Sequence, residues 1–257
     1  IGGTPDGVSS TDALLLNVEG EIVDITPLPS LPVELDDMGC AAIGNRIYAA
    51  GGNAAGFPSA DLYMLDLDKP EAGWKKLRRM PGNPRVQPVM ATAQASDGEE
   101  CLYLWGGFAG RHGSHEPTLE LGGLRYRPSA NRWEKIAGPT DADNEPLSVG
   151  GGAACTLIDG RIAVAGGVNK DVFLEALRNQ APDYLQHPAE WYRFNPNVLI
   201  YDPVTGEWSV EAVTAEAARA GAAVVAGNNH DIYILGGEIK PRIRTAETLH
   251  ISEIYHH

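Results

Sequence analysis

Cysteine, aromatic residues and positive charge are all scarce in this chain, and each shortage removes a class of explanation. The 257 residues include three cysteines, Cys40, Cys101 and Cys155. An odd number without Cys-x-x-Cys spacing gives neither a disulfide framework nor a zinc site, and all three fall in apolar, strand-like stretches where they read as small buried hydrophobes. Lys and Arg number 20 against 34 Asp and Glu, a net charge of −14. A phosphate backbone needs a basic surface, so nucleic acid is not an expected partner. No apolar run approaches the roughly 18 residues that would cross a membrane as a helix. Aromatic residues make up 7%, which leaves Ala, Val, Leu and Ile to line the interior. Glycine and proline are plentiful at 30 and 18, as many tight turns require, and 257 residues are ordinary for one all-β domain.

What is present is a repeat. Apolar runs ending in Gly-Gly occur at 1–3, 47–52, 101–107, 161–167 and 231–237. The second glycines, Gly3, Gly52, Gly107, Gly167 and Gly237, are separated by 49, 55, 60 and 70 residues. Steps that lengthen while the signature persists describe a fixed unit with loops inserted into it. Each unit closes with a turn and a strand bearing Trp or an aliphatic residue, as at Ile22, Trp74, Trp133 and Trp208. A third strand lies between, at 61–67, 123–126 and 198–202, and an Ala/Gly/Val-rich first strand precedes the glycines at 40–43, 152–158 and 221–226. Four sequential strands per unit predict antiparallel blades arranged radially, with the small-residue strand innermost. The tryptophans are expected in the core between blades. The pattern resembles the Kelch β-propellers.

The chain opens in mid-blade and ends on a third strand, at 245–254, without a fourth. Unpaired strand edges are unfavourable, so the expectation is one incomplete propeller domain over 1–257, with about five blades visible and at least one more belonging to it. His256 and His257 read as tag remnant and carry no functional weight.

In a meander, the loops that follow each Gly-Gly and the linkers that enter each first strand share one face. Long polar and cationic segments collect there, including 108–116, an insertion at 168–197 with helical spacing over 171–179, and 238–244. The functional site is expected on this face. The runs at 166–173 (GGVNKDVF), 192–195 (YRFN), 237–245 (GEIKPRIRT) and 81–85 (PGNPR) resemble the bacterial N-acetylneuraminate epimerase, or sialic acid mutarotase, family and its cyclically permuted branch.

The resemblance implies a six-bladed propeller that interconverts sialic acid anomers without a cofactor or metal. Its GExKPxxR segment places the catalytic glutamate and essential arginine at Glu238 and Arg244; Arg242 stands where a small residue often occurs. Ring opening needs one group to take the anomeric proton and another to protonate the ring oxygen. Glu238 is the candidate base, its pKa raised by burial in the throat. Arg244 would grip the sugar carboxylate in a bidentate contact. Arg85 is a second anion-binding candidate, and Arg242 and Lys240 add local positive field against the acidic whole. Asn169, Tyr192 and Asn195 are expected at polar substituents and Phe194 at the acetamido methyl. The acid partner stays open among a tyrosine, a histidine such as His115, and water. The expected partner is a small acidic sugar, with a homodimer and a periplasmic or envelope location in a bacterium as further expectations. The alternatives are a Kelch protein- or glycan-binding module, although no helical interaction domain accompanies the repeats, and a copper oxidase, although no cysteine falls in a site-face loop. His112 and His115 form a possible metal pair with no companion ligands in the sequence.

Overall fold

The computed structural model describes residues 1–252 and 254, and within them the chain is a β-propeller of small antiparallel sheets. Three blades have four strands in sequential order. The first runs Leu35–Ile43, Arg46–Ala54, Leu62–Asp66 and Lys75–Lys76. The second runs Val89–Gln94, Glu100–Trp105, Gly123–Arg127 and Arg132–Ile136. The third runs Ala153–Thr156, Ile162–Ala165, Asn197–Tyr201 and Trp208–Val213. A fourth sheet has three strands, Ala223–Ala226, Ile232–Leu235 and Thr248–Ile251. Ahead of them, Leu14–Glu19 pairs with Ile22–Pro27 as a hairpin whose residues are all exposed. His256 and His257 lie outside the described residues.

The first strands of successive blades touch one another, so they line the axis. The core lies between blades, because the period-2 alternation of each second strand serves two interfaces at once. In the second blade Leu102 and Leu104 pack towards Tyr48 and Leu62 of the first. Their neighbours Tyr103 and Trp105 pack towards Ile162, Val164 and Tyr201 of the third. In the third blade Ala163 and Ala165 face Ile232 and Ile234 of the fourth. Two of the sequence expectations change here. Trp74, Trp133 and Trp208 pack against the core clusters but are only half-buried, and Trp105 is the fully buried indole. The three donate to a carbonyl of the segment leaving the preceding unit: Trp74 Nε1 to Pro29 (2.8 Å), Trp133 to Arg78 (2.8 Å) and Trp208 to Ala137 (3.3 Å). A tryptophan keeps its polar edge outward when that edge has a partner. Of the cysteines only Cys101 is buried; Cys155 is intermediate, and Cys40 is exposed on an innermost strand.

A second set of hydrogen bonds runs around the axis. Gln87 N donates to Asp37 O (2.7 Å), Gly151 N to Gln87 O (3.1 Å) and Gly221 N to Gly151 O (2.7 Å). These residues enter the first strands of the four blades and share a left-handed backbone, with φ of 51°, 51°, 74° and 61° for Asp37, Gln87, Gly151 and Gly221. The second glycine of a pair adds a further link: Gly52 N donates to Arg85 O and Gly167 N to Arg219 O. At Gly166 a Cβ would sit 2.3 Å from Arg219 O, so no side chain fits where the third blade turns against the fourth.

The outer strands of the second blade carry a charge cluster. Glu134 accepts from Arg125 (2.7 Å), Arg127 (3.1 Å) and Arg132 (2.5 Å). Desolvation pushes its carboxyl pKa up, but the hydrogen bonds from Arg125, Arg132 and Arg127 outweigh it and hold the group at about 2. A depressed carboxylate contributes stability that is full above its unfolded pKa and lost as pH falls through its folded one. Glu134→Gln is therefore expected to cost about 1–2 kcal/mol at pH 7. In urea titrations the gap from wild type should close between about pH 5 and pH 2; a gap independent of pH would exclude the ionised cluster as its source.

Candidate functional site

Each blade places two positions together at one end of the axis: the residue after Gly-Gly and the residue entering the first strand. They are paired as Asn53 with Asp36, Phe108 with Val86 and Glu238 with Ala220, and Val168 N donates to Gly150 O. The loops following the glycines and the interblade linkers therefore share a face. Around it the second and third blades present apolar or small residues, whereas the first presents Asp36 and Asn53 and the fourth presents Glu238.

Glu238 is held by its backbone, with Glu238 N donating to Ala220 O (2.7 Å) and Ala220 N to Glu238 O (3.0 Å). It opens a hairpin, Glu238–Lys240 paired with Ile243–Arg244, in which Glu238 stands directly opposite Arg244. The register explains the six-residue spacing: the turn returns the arginine to its glutamate, with Arg244 Nη2 3.6 Å from Glu238 Oε1. The turn residues are Pro241 and Arg242, and Arg242 has φ 68°. Proline followed by a left-handed residue is the pattern of a type II turn, which favours glycine at the second place. That is why a small residue suits position 242. The turn also directs the Arg242 N–H to Glu238 Oε2 (3.3 Å). Lys240 is tethered through its Nζ to His187 O (2.7 Å), joining the hairpin to the insertion, while Arg242 and Arg244 are exposed. The Glu238 side chain is 26% exposed, so the carboxylate is partly shielded yet open to solvent.

Arg85 has a different place from the one expected. It is buried, its Nη1 donates to Gly106 O (3.4 Å), its Nε to Asn83 O (3.3 Å), and Nη2 lies 3.7 Å from Glu120 Oε2. Desolvation draws its pKa down and Glu120 draws it back. Arg219, two blades on, repeats the arrangement: Nη1 donates to Gly236 O (3.0 Å) and Nη2 lies 3.6 Å from Glu247 Oε2. Both guanidiniums brace the first glycine of their own blade's pair. The recurrence of Arg219 at the equivalent linker is the sequence signal for this role.

The insertion 168–197 folds as the helix Lys170–Asn179 followed by 3-10 turns at Tyr184–Gln186 and Ala189–Tyr192. Asn169 caps the helix, its side chain accepting from Asp171 N and Val172 N, the usual task of an asparagine there. Tyr192 is buried with its hydroxyl donating to Tyr184 O, and Phe194 packs with it against Val168. Buried Asn195 donates to Gly166 O (3.2 Å) and accepts from Asn197 N (3.0 Å) and Nδ2 (2.7 Å). Asn169 and the Tyr192 hydroxyl order the insertion internally, whereas Tyr192 and Phe194, in one cluster with Leu119, Ala218 and Ala220, and Asn195, through Gly166, join it to the frame. Asn169 and Asn195 also border a cleft of about 190 Å³ with Glu145, Lys170 and Arg193. His112 and His115 border a separate cleft of about 560 Å³ with Arg79, Asn83 and Glu116. Among the described residues no group of three or more His, Cys, Asp or Glu is placed to hold a metal ion.

A family model for N-acetylneuraminate epimerase matches residues 28–254. The chain belongs to the N-acetylneuraminate epimerase family. It is 34% identical over 233 residues to the N-acetylneuraminate epimerase of Haemophilus influenzae strain PittEE, covering 86% of this chain and 58% of that protein. To the N-acetylneuraminate epimerase of Brucella melitensis biotype 1 it is 30% identical, covering 85% and 57%. The solved structure of YjhT superimposes with a TM-score of 0.71 at 27% identity, covering 88% of this chain and 63% of that one. The chain thus spans 55–58% of the length of these curated epimerases, the Yersinia enterocolitica one included.

Two substitutions separate scaffold from site. Arg85→Met takes the guanidinium from the Gly106 carbonyl and leaves Glu120 only its bond from Asn83 Nδ2, and a loss of about 1–2 kcal/mol is expected by chemical denaturation. Arg242→Gly relieves a left-handed side chain and should stabilise the fold by about 0.5–1 kcal/mol; a drop in Tm would contradict the turn assignment.

Proposed function

We propose that the protein interconverts the α and β anomers of N-acetylneuraminate through acid-base ring opening at Glu238, with Arg244 binding the sugar carboxylate. The observation that carries this reading is the hairpin register that seats a carboxylate and a guanidinium side by side at the mouth of the propeller, on a chain of the epimerase family. Glu238 is backbone-anchored and partly exposed, so it can reach a ligand without losing its position. Arg244 is 73% exposed and only 3.6 Å from its partner, a loose pair that an incoming carboxylate can displace. Its fork geometry then matches the ligand. As the anomeric hydroxyl gives its proton to Glu238, the C2–O6 bond breaks and O6 takes a proton from a second group or from water; re-closure on either face of the carbonyl reverses both transfers. The net charge of −14 repels an anionic sugar at long range, but screening over about 8 Å leaves the nearby Arg242 and Arg244 to dominate at the mouth.

The test is proton NMR of α-N-acetylneuraminate freshly released by a sialidase. Wild-type protein should speed decay of the α signal. Glu238→Gln should lower kcat by about 10²-fold or more with the fold intact, and Arg244→Met should act chiefly on KM. No acceleration by folded wild type would overturn the proposal.

A further inference from the structure

The hairpin that carries Glu238 and Arg244 has little of its own to hold it. Its strands, Glu238–Lys240 and Ile243–Arg244, are short, and an isolated two-stranded hairpin is marginal in water. Its apolar side chains bury little, since Ile239 is 40% and Ile243 48% exposed. At the base Ala220 exchanges backbone hydrogen bonds with Glu238, and Thr245 N donates to Gly237 O (2.9 Å). Beyond that base, among the described residues, one hydrogen bond leaves the hairpin: Lys240 Nζ donates to His187 O (2.7 Å).

The acceptor is itself fixed. The His187 ring stacks on Trp191, with centroids 3.8 Å apart and 11° between planes, and Trp191 meets Tyr192 edge-on (5.2 Å, 85°). Tyr192 is buried, and Ala220 packs against its cluster. Glu238 and Lys240 are therefore fastened to one block of the molecule, the first through the backbone of Ala220 and the second through the insertion. Between Lys240 and its strand partner Ile243 lies the turn, whose Arg242 N–H reaches Glu238 Oε2 at 3.3 Å. A hydrogen bond of that length is close to its limit, so a small displacement of the turn releases the carboxylate.

Resting on the function proposed above, we infer that Lys240 is a positioning residue: by anchoring the hairpin to the insertion it keeps the Arg242 N–H on Glu238 and so fixes the carboxylate that exchanges a proton with the sugar. The insertion 168–197 is then a brace for the reaction, and Trp191 sets where its anchor point lies. Lysine suits the task because a long stem ends in donors alone, and the carbonyl it must reach accepts nothing else.

The experiment compares Lys240→Met, Lys240→Arg and Trp191→Ala with wild type in the same NMR assay, with Tm and amide hydrogen exchange over 238–244 measured for each. Lys240→Met should lower kcat about tenfold and speed exchange in the hairpin by a similar factor, and both changes should persist in about 1 M salt, where screening reaches only ~3 Å. Lys240→Arg keeps a donor and should retain most of kcat. Trp191→Ala leaves every charge in place, yet it should reproduce the loss, and the Lys240→Met/Trp191→Ala double variant should be no slower than the slower single one, as residues acting in one chain require. Wild-type kcat and exchange in Lys240→Met would overturn this inference alone, as would a defect confined to KM that salt abolishes, which would mark Lys240 as a source of charge only. Absence of acceleration by wild-type protein would overturn the function and, with it, the part assigned to Lys240.

Discussion

The structure depends on how one blade is fastened to the next. Around the axis, a left-handed residue in each later blade donates its N–H to the carbonyl of its counterpart in the blade before. Nearer the rim, an indole N–H crosses to the segment leaving the preceding unit. Between these two polar links lies the apolar filling of Leu, Val, Ala and Tyr from facing sheets. Burial supplies the bulk of the driving force, but it is non-directional. The hydrogen bonds set the rotation from blade to blade, because a buried N–H or carbonyl without a partner is costly.

That fastening accounts for the placement of chemistry. The residue following each glycine pair is fixed by pairing with the residue entering the first strand, so its side chain is held at the mouth whatever its identity. Evolution of a site on this frame needs only a change of residue at positions already held: Phe108 and Val168 make two blades apolar, while Glu238 gives the fourth a carboxylate. The two-residue turn then brings Arg244 back beside the glutamate without any contribution from the remainder of the chain.

Much of this was legible in the sequence because repetition amplifies weak signals. One Gly-Gly says little, but five in phase with a closing aromatic strand define the blades, and the observed strands fall where the repeat puts them. The Glu238–Arg244 spacing was legible too, although its cause, a hairpin register closed by Pro241 and Arg242, emerges only from the backbone. Side-chain roles were harder to read. Arg85, Tyr192 and Asn195 carry the polar groups of a ligand site, and each also holds a hydrogen bond within the frame, to Gly106, Tyr184 and Gly166. Residue type and loop position do not reveal whether a polar atom already has a partner.

The fastenings also have a direction, since in the axial ring and at the indoles the later blade gives the proton and the earlier one accepts it. Such contacts are head-to-tail, and head-to-tail contacts between like units close into a ring only when the accumulated rotation comes to a full turn. The angular step is therefore the quantity under constraint, not the length of the repeat. The insertion 168–197 leaves after Gly167 and is returned by Asn195 N donating to Gly167 O, so it begins and ends at one point of the frame and contributes no rotation. Loops on this face can lengthen freely as long as they are bookended in this way, whereas a single misplaced residue between a left-handed position and its glycine pair would be multiplied around the circle.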